Sequence, residues 1–252
     1  MDDRRSIIVG ETAADARRLA GQIIATTACD AVGRHGQFTL ALAGGTTPRP
    51  LYEFLATPPL NESIPWQDTQ IFFGDERDVP ADHADSNYHM AQEALLGSVP
   101  IRLENVHPMM GDADDLNLAA QSYAEQIVRV LPAGPDGRPS FDLILLGMGG
   151  DGHTASLFPG SAALNEADTL VTCADVPVLS RRRMTFTLPL INAAANVLFL
   201  VTGKDKAEAI AKVLSDDPAA AAELPAGRVQ PTHGKLLFVL DEDAARQTPH
   251  HS

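Results

Sequence analysis

The sequence predicts an α/β protein with a mostly parallel sheet flanked by helices. Three observations carry that prediction. Apolar runs of four to six residues alternate with longer amphipathic stretches, which is the order of strand and helix in turn. Several of these runs are almost continuously apolar, as strands buried on both faces of a parallel sheet are. The longer stretches also open on residues that cap helices. With 252 residues and a 44% hydrophobic composition the chain can bury a sizeable core, and 1–252 reads as one domain.

SIIV at 6–9 is the first strand, and Thr12, with Asp15 three residues on, opens a helix over 12–33. FTLALA at 38–43 follows, and Thr47 ahead of Pro48 opens a helix over 48–56. TQIFF at 69–73 is the third strand, and Ser86 ahead of Asn87 opens a helix over 87–96. A helix over 115–130 begins near Asp112, Asp114 and Asp115. These three resemble part of a calcium loop but lack its glycine and closing glutamate, so they read as helix-start carboxylates. The remaining strands are DLILL at 142–146, TLVTC at 169–173, RMTFTL at 183–188, NVLFLV at 196–201 and KLLFVL at 235–240, with helices over 204–214 and 241–246. LPAGPDGRPS at 131–140 and DDPAAAAELPAG at 216–227 read as surface connections, and no internal repeat is visible.

Nineteen Lys and Arg against 33 Asp and Glu leave a net charge of -14, which argues against nucleic acid as a partner, since that would need a basic face. A small anionic substrate is compatible, because a few converging cations make a local positive site. Cys29 and Cys173 are far apart and not at a metal-binding spacing, which fits a reduced, cytoplasmic setting. MDDRRSIIVGETAAD lacks the apolar core of a signal peptide and no run is long enough for a membrane span, so a membrane is not expected as a partner. The polar tail AARQTPHHS reads as a frayed end, its two histidines included.

Four stretches carry chemistry. In ALAGGTTPRPLYEFL a strand runs through Gly44, Gly45, Thr46 and Thr47 into a helix, which is either a phosphate pocket of close backbone, hydroxyls and helix-start amides or a tight turn that Thr47 merely caps. In IFFGDERDVP an apolar strand ends in Asp75, Glu76 and Arg77, where ligands bind in open α/β sheets; the plain alternative is a surface ion cluster. FDLILLGMGGDGHTASLFPG holds a G-x-G-x-x-G at Gly147, Gly149 and Gly152. It is disfavoured as a dinucleotide fingerprint because Pro159-Gly160 leaves room for only a turn or two of helix. Its alternative use is to present His153 as a general base, with Asp151 to orient the ring and glycine amides to hold an oxyanion. The fourth, SRRRMTFTLPLINAAANVLFLVTGKDKAEAI, brings Arg183 and Lys206 to strand termini as phosphate grips, whereas Arg181, Arg182 and Lys204 read as solvated charge.

Together, AGGTTP at 43–48, FFGDERDVP with DSNY at 72–80 and 85–88, LGMGGDGHTASLFPG at 146–160, RMTFTLPLIN at 183–192, VTGKDKA at 201–207, LPAGRVQP and KLLFVLDEDAA resemble the 6-phosphogluconolactonase family over nearly the whole chain. The resemblance implies a three-layer Rossmann-like fold, shared with sugar-phosphate isomerases and glucosamine-6-phosphate deaminases, that binds no nucleotide. It implies hydrolysis of 6-phosphoglucono-δ-lactone to 6-phosphogluconate in the pentose phosphate pathway, with no metal and no organic cofactor. His153 would be the base, Asp151 its orienting group, and Arg77 the stabiliser of developing charge. Gly44, Gly45, Thr46, Thr47, Asp75, Arg183 and Lys206 would hold the phosphorylated substrate. The partner is then a small sugar-phosphate lactone, acted on by a monomer or small homo-oligomer. Two positions depart from the family pattern: Thr46-Thr47 stands where many relatives have Ser-Thr, and VLSRRR replaces a Pro-rich lead to the arginine, whose register favours Arg183. The alternatives are an amino-sugar-phosphate isomerase or deaminase, whose segment after the histidine lacks Thr-Ala-Ser-Leu-Phe-Pro, and a non-catalytic sugar-phosphate sensor.

Overall fold

Strands that are apolar on both faces need cover on both, and the computed structural model shows how they get it. It describes residues 4–176 and 181–248, without the side chain of Arg181; the first three residues, the Val178-Leu179-Ser180 lead and the tail histidines lie outside the described residues. Six strands form a parallel sheet: β1 Arg5–Gly10, β2 Phe38–Leu42, β3 Thr69–Phe73, β5 Leu143–Leu146, β8 Asn196–Val201 and β9 Lys235–Asp241, in the order β1-β9-β8-β5-β2-β3. Every residue of β2 and β5 is buried. Successive residues of β3 point to opposite faces: Phe72 meets Tyr123 with ring centroids 5.9 Å apart, and Phe73 meets Tyr88 at 5.8 Å.

The helices are α1 Ala13–His35, α2 Pro48–Leu55, α3 Leu60–Ser63, α4 Asn87–Ala91, α5 Leu116–Val130, α6 Leu188–Asn192, α7 Ala207–Val213, α8 Pro218–Ala222 and α9 Glu242–Ala245. The expected caps hold at Thr12, whose hydroxyl accepts from Asp15 N, at Ser86, which accepts from His89 N, and at Asp115, which accepts from Asn117 N and Leu118 N. Thr47 departs from expectation: it is already helical in backbone and its side chain caps nothing. Three helix expectations were too long. Residues 92–96 wind as a π-turn after α4, Lys204–Lys206 is a 3-10 turn ahead of α7, and 241–246 shrinks to α9 with Asp241 as its cap.

The sequence did not separate a second sheet from the first. β4 Asp75–Arg77, β7 Arg181–Phe186 and β6 Val171–Val176 form an antiparallel sheet in the order β4-β7-β6, so the runs expected at 169–173 and 183–188 lie outside the parallel sheet and are displaced by about two residues. Gly74 is the joint between the two sheets: its N–H donates to Leu42 O at 2.9 Å and its carbonyl accepts from Phe186 N at 2.8 Å. The connection at 216–227 is also more structured than expected. It contains α8 and a 3-10 turn at Pro225–Arg228, and Ala226 N donates to Gly152 O at 3.0 Å, so the segment supports the glycine loop.

Candidate active site

The strand order places the site. The chain moves from β2 outward to β3 and then returns through β5 toward β8 and β9, so the direction of winding reverses between β2 and β5. The loops at the carboxyl ends of those two neighbours must diverge, which opens a crevice there. One is the Gly44–Thr47 loop and the other the Gly147–His153 loop, and both line a cleft of about 400 Å³.

The His153 ring stands at the cleft with Nδ1 at 2.6 Å from Asp151 Oδ1, and His153 N lies 3.1 Å from the same oxygen. An ionised carboxylate only accepts, so Nδ1 carries the proton and Nε2 is the open nitrogen of the neutral ring. Partial burial pushes the Asp151 carboxyl up, but the bonds and charge from His153 together outweigh it and hold it below the usual carboxylate range. Gly149 has a direct steric reason to be glycine, since a Cβ there would run into both His153 Nδ1 and Asp151 Oδ1.

The triplet after β3 divides by face, as a strand's period of two requires. Asp75 and Arg77 line the cleft, while Glu76 is turned away and buried. There it accepts from Arg77 N at 2.8 Å, Asn87 N at 2.8 Å, Tyr88 N at 2.9 Å and Ser86 Oγ at 3.0 Å. Burial pushes the Glu76 carboxyl up, against those four donors. Arg77 donates to Asp85 O at 2.8 Å, and its buried Nε has no partner among the described residues. The guanidinium and the imidazole share the cleft, which Arg77 and His153 both line.

Arg183 sits directly opposite Arg77 in the β4-β7 ladder, and Lys206 closes the cleft from the turn after β8. Lys206 Nζ is 2.9 Å from Asp205 Oδ2, and that bond holds the Asp205 carboxyl below its usual range. The turn is fixed from behind, because Gly203 N donates to both Asp241 oxygens, at 3.0 and 3.1 Å. The Gly44–Thr47 loop is backed by Asn87, whose amide group lies where a side chain on Gly44 would have to go. Tyr52 of α2 ties the loop's root by donating to Ala43 O at 2.7 Å, and burial pushes its phenol pKa upward. Pro48 and Pro50 have no N–H, so α2 offers fewer start amides than its position suggests and the loop's own backbone and hydroxyls carry more of the anion-facing donors.

The positions expected from sequence thus converge. Nine of the ten line the cleft, and the tenth, Asp151, stands behind His153. The sequence reading missed Asn87, Ser156, Phe158 and Asp205. All four lie in the DSNY, HTASLFPG and VTGKDKA runs, but the contacts of Asn87 and Ser156 with Asp75 join segments far apart and leave no local spacing to read.

A family model described as glucosamine-6-phosphate isomerases/6-phosphogluconolactonase matches residues 11–238. The chain belongs to that family. A Synechocystis 6-phosphogluconolactonase is 42% identical over 221 residues, covering 88% of this chain and 89% of the relative. One from Nostoc is 39% identical, with 96% of each covered. The solved structure of the Trypanosoma brucei 6-phosphogluconolactonase superposes with a TM-score of 0.84 at 32% identity, covering 96% of this chain and 98% of that one.

Proposed function

We propose that the chain hydrolyses 6-phosphoglucono-δ-lactone to 6-phosphogluconate and that His153 is its general base. The observation that carries this reading is the carboxylate-oriented imidazole in the same cleft as two arginines, a lysine and a glycine-threonine loop. Family relatives named 6-phosphogluconolactonase over nearly the full chain support the same reaction.

Nε2 of His153 takes a proton from water as the water oxygen bonds to the lactone carbonyl carbon. Negative charge then gathers on the carbonyl oxygen, where the Arg77 fork and glycine-loop amides stabilise it. The bond from that carbon to the ring oxygen breaks, and the proton held by His153 passes to the departing oxygen. The products are a hydroxyl and a carboxylic acid, which ionises. Asp151 keeps Nδ1–H fixed throughout and favours the imidazolium that forms between the two steps. Gly44, Gly45, Thr46, Thr47, Arg183 and Lys206 grip the phosphate, which holds the reacting carbon against the base. Asp75 contributes through Asn87 and Ser156 rather than as an anion grip, since a carboxylate repels a phosphate.

The test is lactone opening followed against its spontaneous rate with freshly made substrate. His153→Ala should lower kcat by about a hundredfold or more. Turnover within a few-fold of the parent would overturn the base assignment.

A further inference from the structure

Arg77 and Arg183 are direct partners across an antiparallel ladder, so their side chains leave the same face. Two like charges so placed repel, and something must hold the second guanidinium in its place. That support comes from the histidine loop. Ser156 is fully buried between the strands: its N–H donates to Thr185 Oγ1 at 3.1 Å, its hydroxyl donates to Asp75 Oδ2 at 2.7 Å, and its oxygen accepts from Arg183 Nη1 at 3.4 Å. Asp75 Oδ2 itself is 3.9 Å from Arg183 Nη1, and the other carboxylate oxygen accepts from Asn87 Nδ2 at 3.2 Å. Two residues beyond Ser156, the Phe158 ring lies 5.7 Å from the Arg183 guanidinium carbon and 4.4 Å from the His153 ring centroid. Ala155 makes this arrangement possible. Its left-handed φ of 47° folds the chain back, so that His153 faces the cleft while Ser156 enters the junction.

We propose that Ser156 is a positioning residue that acts through Arg183. With its hydroxyl committed to Asp75, its oxygen is oriented toward the guanidinium and sets the distance between the arginine that grips the substrate's phosphate and the imidazole on the same loop. The hydroxyl does not touch the substrate. This rests on the reading of Arg183 as a phosphate grip.

The experiment is a double-mutant cycle of Ser156→Ala and Arg183→Ala, read as KM for the lactone, kcat, and Kd for 6-phosphogluconate by calorimetry. Ser156→Ala in the parent should raise KM and Kd about tenfold, as loss of a hydrogen bond to a charged group does, with kcat within about threefold. In the Arg183→Ala background the same change should add nothing. Equal effects in both backgrounds, or no effect in the parent while Arg183→Ala alone weakens binding, would overturn the proposal and leave the phosphate grip standing. Unchanged KM and Kd in Arg183→Ala alone would remove the grip and the proposal with it. If Ser156→Ala does not fold, as judged by circular dichroism, Phe158→Leu takes its place in the cycle. Its effect on Kd should likewise vanish without Arg183, and an effect that persists overturns the proposal.

Discussion

At the scale of single residues the site is built by close approach. Gly149 carries no side chain because the His153–Asp151 pair occupies the space one would need. Gly149→Ala should therefore displace the imidazole while the sheet stays intact. A displacement of about 1 Å costs on the order of a hundredfold in rate, so kcat should fall by about that factor with an unchanged circular dichroism spectrum. A variant that retained parental kcat would show that the ring is not held by this contact. The pair itself weakens on acidification. Because the Asp151 carboxyl is depressed in the folded state, its pairing is complete above the ordinary carboxylate range and is lost as pH falls through the lowered value.

At the scale of elements, the joints between segments are polar and buried. His107 donates from its backbone N to Ile71 O at 2.9 Å, its ring stacks on Phe72 at 4.3 Å, and its two nitrogens meet Gln70 Oε1 at 2.8 Å and Gln126 Nε2 at 2.7 Å. The ring thereby ties β3 to α5. Burial pushes its pKa below the ordinary 6.5, so the unfolded chain takes up a proton first. Stability is then full above pH 6.5 and declines as pH drops from there toward the lowered folded value. Urea unfolding of the parent should show that decline, and His107→Asn should be less stable at pH 8 and lose part of the slope. An identical slope in the variant would assign it to other groups. Element boundaries in the sequence were reliable where a cap is local, as at Thr12, Ser86 and Asp115. At Thr47 the boundary also held, with α2 starting at Pro48, but the side chain makes no cap bond and the residue lines the cleft instead.

At the scale of the whole molecule, an acidic chain of net charge -14 brings Arg77, Arg183 and Lys206 together in one cleft. The reversal of strand order opens the crevice, and the small antiparallel sheet adds Arg77 and Arg183 to its rim. A ligand that binds only this assembled cleft stabilises it by mass action, about 2.7 kcal/mol at a hundred times Kd. Saturating 6-phosphogluconate should raise Tm in the parent and in His153→Ala alike. Lys206→Ala should shift the curve to higher ligand concentration. An unaltered ligand dependence in Lys206→Ala would contradict its phosphate role. No helix among the described residues is long and apolar enough to cross a membrane.

The sequence alone determined the parallel sheet and the loops that carry Gly44–Thr47 and Asp151–His153. Those features are encoded locally, in continuous apolar runs, glycine clusters and capping residues, and a short window of chain suffices to read them. Only the tertiary structure decided that β4, β6 and β7 leave the main sheet, that Glu76 turns away while its neighbours face the cleft, and that Ser156 stands between Asp75 and Arg183. Each of these depends on which strand lies beside which, and Asp75 and Ser156, 81 positions apart in the chain, meet there through pairings that no local pattern specifies.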